Sequence, residues 1–234
     1  MESNFKTPQK ITYLTDDKGN ECVSFIKRCK EEPFFLFASF NAPHTPMQAP
    51  EKDLALFDHI TDKKRNTYAA MVYRLDVNVG KIINTLKEEG LSNNTLVVFL
   101  SDNGGPVFSN ASLNAPYNGS KGILLEGGVH VPFIMSWPSV LPKGTIYEHE
   151  VSALDLAPTF LAMANAKERE DITFSGKNLL PFILGEERDA PSANLKWRFT
   201  IGAAIREGDW KLIRHRTDCL YCSICLRIFL KRKT

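Results

Sequence analysis

The pattern of apolar and polar positions changes period several times along the chain. "PFFLFASF", residues 33–40, is a continuous apolar run with charges before it and "NAPHTP" after it, which predicts a strand buried on both faces. The prolines behind it can continue neither strand nor helix, so a loop carries His44 away from the strand's C-terminal end. From Lys63 to Glu89, Tyr68, Met71, Val72, Leu75, Val79, Ile82, Ile83 and Leu86 recur at helical spacing, predicting one long helix with that set as its buried face and Gly90 as its C-terminal stop. "TLVVFL", residues 95–100, reads as a second buried strand, so strand, helix and strand follow in the order of a crossover unit.

"VPFIMSW", residues 131–137, predicts a third strand, and "ALDLAPTFLAMAN" a short helix capped by Ser152. "WRFTIGAAIREGDWKLIRH" reads as two extended segments split by the turn signal "EGD", an antiparallel hairpin in a small C-terminal sheet starting near residue 191. There is no internal repeat and no low-complexity linker.

Composition narrows the class. With 234 residues and 43% hydrophobic content the chain is long enough for a sizeable core, so one large domain with a small appendage is expected. A net charge of +2, with both signs well mixed, argues against nucleic acid and against an anionic membrane as partners. The opening residues lack an apolar signal-peptide core, and no stretch approaches the roughly 20 apolar residues of a membrane helix; read literally, the chain is soluble and leaderless. Five cysteines, an odd number without regular spacing, argue against a disulfide framework.

Candidate chemistry sits where strands end. "VVFLSDNGG", residues 97–105, runs from an apolar strand into Asp102 and Asn103 with two glycines behind. A turn explains this pair, and so does a metal site: Asp102 offers an anionic oxygen and Asn103 a neutral one, the hard donors that Ca²⁺ or Mg²⁺ prefers, provided further carboxylates come from elsewhere. Lys121 stands between Gly119 and Gly122 in "NGSKG", a flexible setting for a point charge facing a sulfate or phosphate oxyanion. Each of these residues, like His44 in its proline-rich loop, has an ordinary structural explanation when taken alone. Their order along the chain is what makes them a constellation.

The blocks "PFFLFASFNAPHTPMQAP", "YAAMVYRLDVNVGKIINTLKEEGLSNNTLVVFLSDNGG", "NGSKGILLEGGVHVPFIMSWP", "VSALDLAPTFLAMA" and "AIREGDWKLI" resemble, in order, the second half of sulfatases of the arylsulfatase type, over about residues 11–215. The resemblance implies an alkaline-phosphatase-like α/β fold, a mixed sheet flanked by helices with a small C-terminal antiparallel sheet. On that basis residues 1–190 form the C-terminal part of the α/β domain, residues 191–216 begin the small antiparallel subdomain, and residues 217–234 are an atypical tail. It implies hydrolysis of a sulfate ester to alcohol and sulfate, with a sulfated small molecule or glycan as partner. A phosphatase or phosphonate hydrolase of the same superfamily, and a non-catalytic sulfatase-like binding protein, are the alternatives. Carried over residue by residue, Asp102 and Asn103 would be Ca²⁺ ligands, with Mg²⁺ second in preference; Lys121 would contact the sulfate, and His44 would bind it and help protonate the departing oxygen. The family is mostly exported to periplasm, lysosome or medium.

The departures matter equally. The family's nucleophile, a formylglycine made within Cys/Ser-x-Pro/Ala-x-Arg, has no matching string: Cys22 lies in "ECVSF" and Cys29 in "RCKEE". The paired N-terminal aspartates of the metal site are unmatched as well, since Asp16 and Asp17 align with a linker helix entry. The chain is therefore expected to be an inactive fragment carrying half a site. In the tail, Cys219, Cys222 and Cys225 are spaced like zinc or iron–sulfur ligands but lack a suitably placed fourth ligand, and a frameshifted or prematurely ended sequence is the preferred reading. Asn93, Asn110 and Asn118 begin glycosylation sequons, and Asp76 and Asp155 read as capping or hydrogen-bonded structural carboxylates.

Overall fold

The computed structural model describes residues 12–166, 171–192 and 194–214; Cys219, Cys222 and Cys225, with the rest of the tail, lie outside them. The first element is a helix, α1 (Leu14–Cys29), with Asp16 and Asp17 in its first turn and Lys27 and Arg28 in its last, the charge order that the helix dipole favours. After a four-residue turn of helix, α2 (Glu51–Leu54), comes the long helix α3 (Lys63–Glu88). The Asp62 side chain accepts from Arg65 N at 2.7 Å to start it. Gly90, at φ +72°, ends it: Gly90 N donates to Lys87 O and Leu91 N to Leu86 O, the paired bonds of a glycine stop.

The buried face of α3 contains Met71 and Leu86 of the expected set but is otherwise different. Ala70, Met71, Arg74, Asn78, Thr85 and Leu86 are buried, whereas Val72, Tyr73 and Ile83 are 38–41% exposed. The reason is that α1 and α2 pack on the side of the helix that carries Arg74 and Asn78, whose polar groups are satisfied by partners on those helices. Arg74 pairs with the buried Asp53, and Asn78 donates to Asp16 Oδ1 at 2.7 Å. Gly19 on α1 lets Asn78 approach, since a Cβ there would stand 2.2 Å from Asn78 Oδ1.

The expected strand at 33–40 is not formed. A strand needs a hydrogen-bonded neighbour, and none runs alongside among the described residues; Phe35 and Phe37 are 69% and 79% exposed. The segment is fixed instead by Lys18 Nζ, which donates to Ser39 O at 2.6 Å and Asn41 Oδ1 at 2.5 Å. Consequently the strand–helix–strand crossover is not formed either. β1 (Val97–Leu100) pairs antiparallel with β2 (Phe133–Ser136), Leu100 opposite Phe133, so of the expected mixed sheet the described residues form this pair alone. Between the two strands lie two single turns of helix, α4 (Val107–Asn110) and α5 (Glu126–Val129).

Further on, Ser152 caps as expected: its Oγ accepts from Leu154 N while Ser152 N donates to Asp155 Oδ2 at 2.7 Å, ahead of α6 (Leu156–Met163). Asp155, fully buried, also accepts from Lys177 N, a structural carboxylate. Asp76 does not share that role: it is exposed in mid-helix, where there is no terminus to cap. α7 (Leu180–Ile183) follows, and then a C-terminal sheet of three strands rather than a single hairpin: β3 (Leu195–Phe199), β4 (Gly202–Glu207) and β5 (Trp210–Arg214), antiparallel in that order. The extra turn is at Thr200–Ile201, with Thr200 at φ +54°, and Gly202 closes it opposite Phe199; neither of the two central residues is a glycine or asparagine. Among the described residues no helix is long and apolar enough to cross a membrane.

Candidate active site

The site grows from the loop that follows β1. Ser101 N still reaches Pro132 O across the strand pair, after which the backbone turns: Asp102 Oδ1 accepts from Asn103 N at 2.9 Å, and Asn103 Nδ2 donates to Gly104 O at 3.0 Å. This geometry leaves the Asn103 amide oxygen and the second Asp102 oxygen available to a ligand, Asp102 on the surface and Asn103 half-buried. Gly104 N then donates to Gly128 O. A Cβ at Gly104 would lie 1.8 Å from Gly127 O, so only glycine permits this contact.

The Lys121 loop is built against the same backbone. Gly127 N donates to Asn118 O at 2.7 Å and Lys121 N to Gly105 O at 3.4 Å. Asn114 fastens the two loops together, accepting from Gly105 N and donating to Gly105 O and Gly119 O. The Lys121 side chain is exposed.

His44 arrives from the third loop, between two cis prolyl bonds at Pro43 and Pro46. Its Nδ1 lies 2.6 Å from Thr45 O; a carbonyl only accepts, so Nδ1 carries a proton and Nε2 is the nitrogen left for another partner. That Nε2 faces Lys121 Nζ at 3.5 Å. Asn110, buried, holds the loop by donating to Pro43 O and accepts from Ser112 N.

The structure thus joins His44 directly to Lys121, and joins the Asp102–Asn103 turn to the Lys121 loop through Gly105. The sequence marks Asn110 only as a sequon and gives no sign of Asn114. Asn110 carries a sequon, but its burial removes it from the glycosylation candidates; Asn114 has no local signal, because its partners lie on backbone nine and five residues away. Glu126 was equally unremarked. It accepts from Lys211 Nζ at 2.7 Å and Arg206 Nη1 at 3.2 Å, with His130 Nδ1 at 3.2 Å. Burial by itself would raise its carboxyl, but the hydrogen bonds from His130 and Lys211 and the charges of Lys211 and Arg206 outweigh that and bring it down to about 2. Lys211 is lowered, by burial first, against the opposing pull of Glu126.

As a cation site the arrangement is partial. Ca²⁺ takes about six to eight oxygens, and among the described residues no three His, Cys, Asp or Glu side chains gather to hold a metal. Asp102 and Asn103 fit as two hard donors of a larger set.

The sulfatase family model matches residues 1–166. The chain belongs to the sulfatase family. The model of the N-sulphoglucosamine sulphohydrolase C-terminal region also matches, over residues 119–221. An uncharacterised sulfatase of Escherichia coli, YdeN, is 31% identical over 229 residues, 92% of this chain and 41% of that protein. Human arylsulfatase H is 38% identical over 172 residues, 70% of this chain and 30% of that protein. Among solved structures, Ps i-CgsB in complex with k-i-k-neocarrahexaose superposes with a TM-score of 0.84 at 40% identity, over 92% of this chain and 49% of that one. The PsFucS1 sulfatase of Pseudoalteromonas sp. superposes with a TM-score of 0.74 at 25% identity, over 88% and 43%. The fold is therefore the alkaline-phosphatase-like α/β class of these sulfatases, and the chain spans less than half the length of each of these four relatives.

Proposed function

We propose that this chain supplies the sulfate-binding half of a sulfatase site, one that hydrolyses a sulfate ester to an alcohol and inorganic sulfate. The observation that carries this reading is the His44–Lys121 pair. Two side chains from loops 77 residues apart meet at 3.5 Å, one a fixed point charge and the other an imidazole whose tautomer is set by Thr45 O. Lys121 would attract the non-bridging sulfuryl oxygens and offset the charge they gather. His44, with Nδ1–H engaged, holds or releases a proton at Nε2, where it would donate to the ester oxygen as the alcohol departs. Gly104 and Gly105 tie the Lys121 loop to the Asp102–Asn103 turn, while Asn110 holds the His44 loop through Pro43 O.

Asp102 and Asn103 would hold the cation, Ca²⁺ ahead of Mg²⁺, and when bound it supplies Lewis-acid stabilisation of oxyanion charge. No residue of this chain is assigned as nucleophile, because the formylglycine string is not in the sequence. A sulfated glycan is favoured over a sulfated small molecule as substrate: the neighbour at 40% identity was solved with k-i-k-neocarrahexaose bound.

Calorimetric titration with inorganic sulfate, with and without Ca²⁺, tests the reading. We expect saturable binding that weakens roughly 10- to 100-fold in Lys121→Ala and in His44→Ala, the worth of a charge-assisted hydrogen bond. Binding indifferent to both substitutions would overturn it. The purified chain should not turn over an aryl sulfate; chelator-sensitive turnover would refute the reading that none of its residues serves as nucleophile.

A further inference from the structure

In the C-terminal sheet Arg206 on β4 stands directly opposite Lys211 on β5. Two like charges at such a position repel across the strand pair, and Lys211 is only 3% exposed, so water does little to screen them. What makes the pair tolerable is a carboxylate from outside the sheet that both of them share. Glu126 Oε1 accepts from Lys211 Nζ at 2.7 Å and Oε2 from Arg206 Nη1 at 3.2 Å. The socket is completed by the Trp197 ring, whose centroid lies 4.5 Å from Lys211 Nζ, and by Glu150, which pairs with Arg206 Nη2.

Glu126 is also the first residue of α5, and the two glycines after it form the backbone against which both site loops are built. Gly127 N donates to Asn118 O, three residues before Lys121, and Gly128 O accepts from Gly104 N, next to Asn103. A Cβ at Gly127 would lie 2.6 Å from Gly119 O, and one at Gly128 2.6 Å from Ser120 O. Nothing separates the turn from the loops that carry the proposed sulfate and cation ligands.

We propose that Glu126 and Lys211 are positioning residues: the C-terminal sheet grips the Glu126 carboxylate, and through α5 this grip sets where Lys121 stands relative to His44. The proposal rests on the sulfate-site reading for its consequence in binding, but not for its geometry. Neither residue touches the ligand. Their effect travels through one helical turn and its backbone hydrogen bonds.

The test uses the full chain with Glu126→Gln, Lys211→Met and the double variant, followed by thermal unfolding, sulfate titration and the NMR resonances of the His44 ring, which are identified by their loss in His44→Ala. We expect each single variant to move the His44 ring resonances and to weaken sulfate binding roughly 10-fold, the usual cost of removing a supporting partner. The double variant leaves no unpaired buried charge on the lysine side and should regain thermal stability while His44 stays displaced and binding stays weak. Resonances and affinity unchanged in folded variants would overturn the proposal. So would their recovery together with stability in the double variant, because the role would then be structural only. Should the parent chain fail to bind sulfate, the functional reading falls, while the His44 resonances still decide whether Glu126 positions Lys121.

Discussion

Asn114 grips Gly105 at both of its backbone groups: Oδ1 accepts from Gly105 N at 2.9 Å and Nδ2 donates to Gly105 O at 2.9 Å. The same amide nitrogen donates to Gly119 O at 3.0 Å, so one side chain holds the loop after Asn103 and the loop before Lys121. Asn114→Ala is expected to cost about 2 kcal/mol in urea unfolding, since three modest hydrogen bonds go at once, and to weaken sulfate binding as well. Asn114→Asp keeps one acceptor but turns an anion toward two carbonyl oxygens, so it should do no better than alanine. A fully stable Asn114→Asp would show that the two donor bonds carry no weight.

Two glycines make opposite predictions under the same substitution. At Gly104 the new methyl would meet Gly127 O at 1.8 Å and Gly127 C at 2.7 Å, backbone atoms that cannot move without α5; Gly104→Ala should destabilise by about 3 kcal/mol. Gly80 is inside α3 with nothing within 4 Å of its would-be Cβ. Gly80→Ala should therefore stabilise by about 0.5–1 kcal/mol. Thermal melts of the two variants beside the parent check both signs.

Elements that satisfy themselves were legible in the sequence, and elements that depend on a distant neighbour were not. α3 and its glycine stop, the Ser152 cap and the turn at Gly208 are set by residues within a few positions of one another. The apolar run 33–40 looks like a strand because its composition suits one, yet strand formation is decided by a partner that no local pattern records. Periodicity likewise marked Val72 and Ile83 as core positions, while the packed side of α3 sets Arg74, Asn78 and Thr85 beside Ala70, Met71 and Leu86, because polar groups can be buried once a partner satisfies them, and they leave no hydrophobic trace. Thr200 adopts a left-handed conformation that its own side chain does not signal, with the glycine of this turn, Gly202, two residues later. Of the site, His44, Asp102, Asn103 and Lys121 were visible through their order and context. Asn114, Glu126 and the hold of Asn110 on Pro43 were invisible because each acts on backbone or charges brought near only by folding.

The ion pair between Asp53 and Arg74 tests whether that polar packing holds α2 on α3. Asp53 is 2% and Arg74 8% exposed, and Arg74 Nε donates to Asp53 Oδ2 at 2.6 Å. Asp53→Ala leaves a buried guanidinium with only the more distant Asp16, at 3.9 Å, and should cost about 3–5 kcal/mol. Replacing both partners, Asp53→Leu with Arg74→Met, removes the charges instead of orphaning one and should recover most of that loss. If the double variant is as unstable as Asp53→Ala, the pair contributes through geometry that apolar packing cannot replace.

Acid stability reports on the socket around Glu126. Its carboxyl goes from the ordinary 4.5 down to about 2 in the folded chain, so folding favours the ionised form even though burial opposes it. A carboxyl lowered in this way contributes its full stabilisation above about pH 4.5, where the unfolded chain is also ionised, and loses it progressively as pH falls toward 2. Protonation there would leave Lys211 and Arg206 facing each other across β4 and β5 without their shared anion. The parent's unfolding temperature should drop steeply between pH 4.5 and 2, and Glu126→Gln, already lacking the charge, should start lower and fall less over the same range. Parallel pH profiles for the two proteins would mean that other carboxylates govern acid unfolding and that the Glu126 contacts add nothing to it.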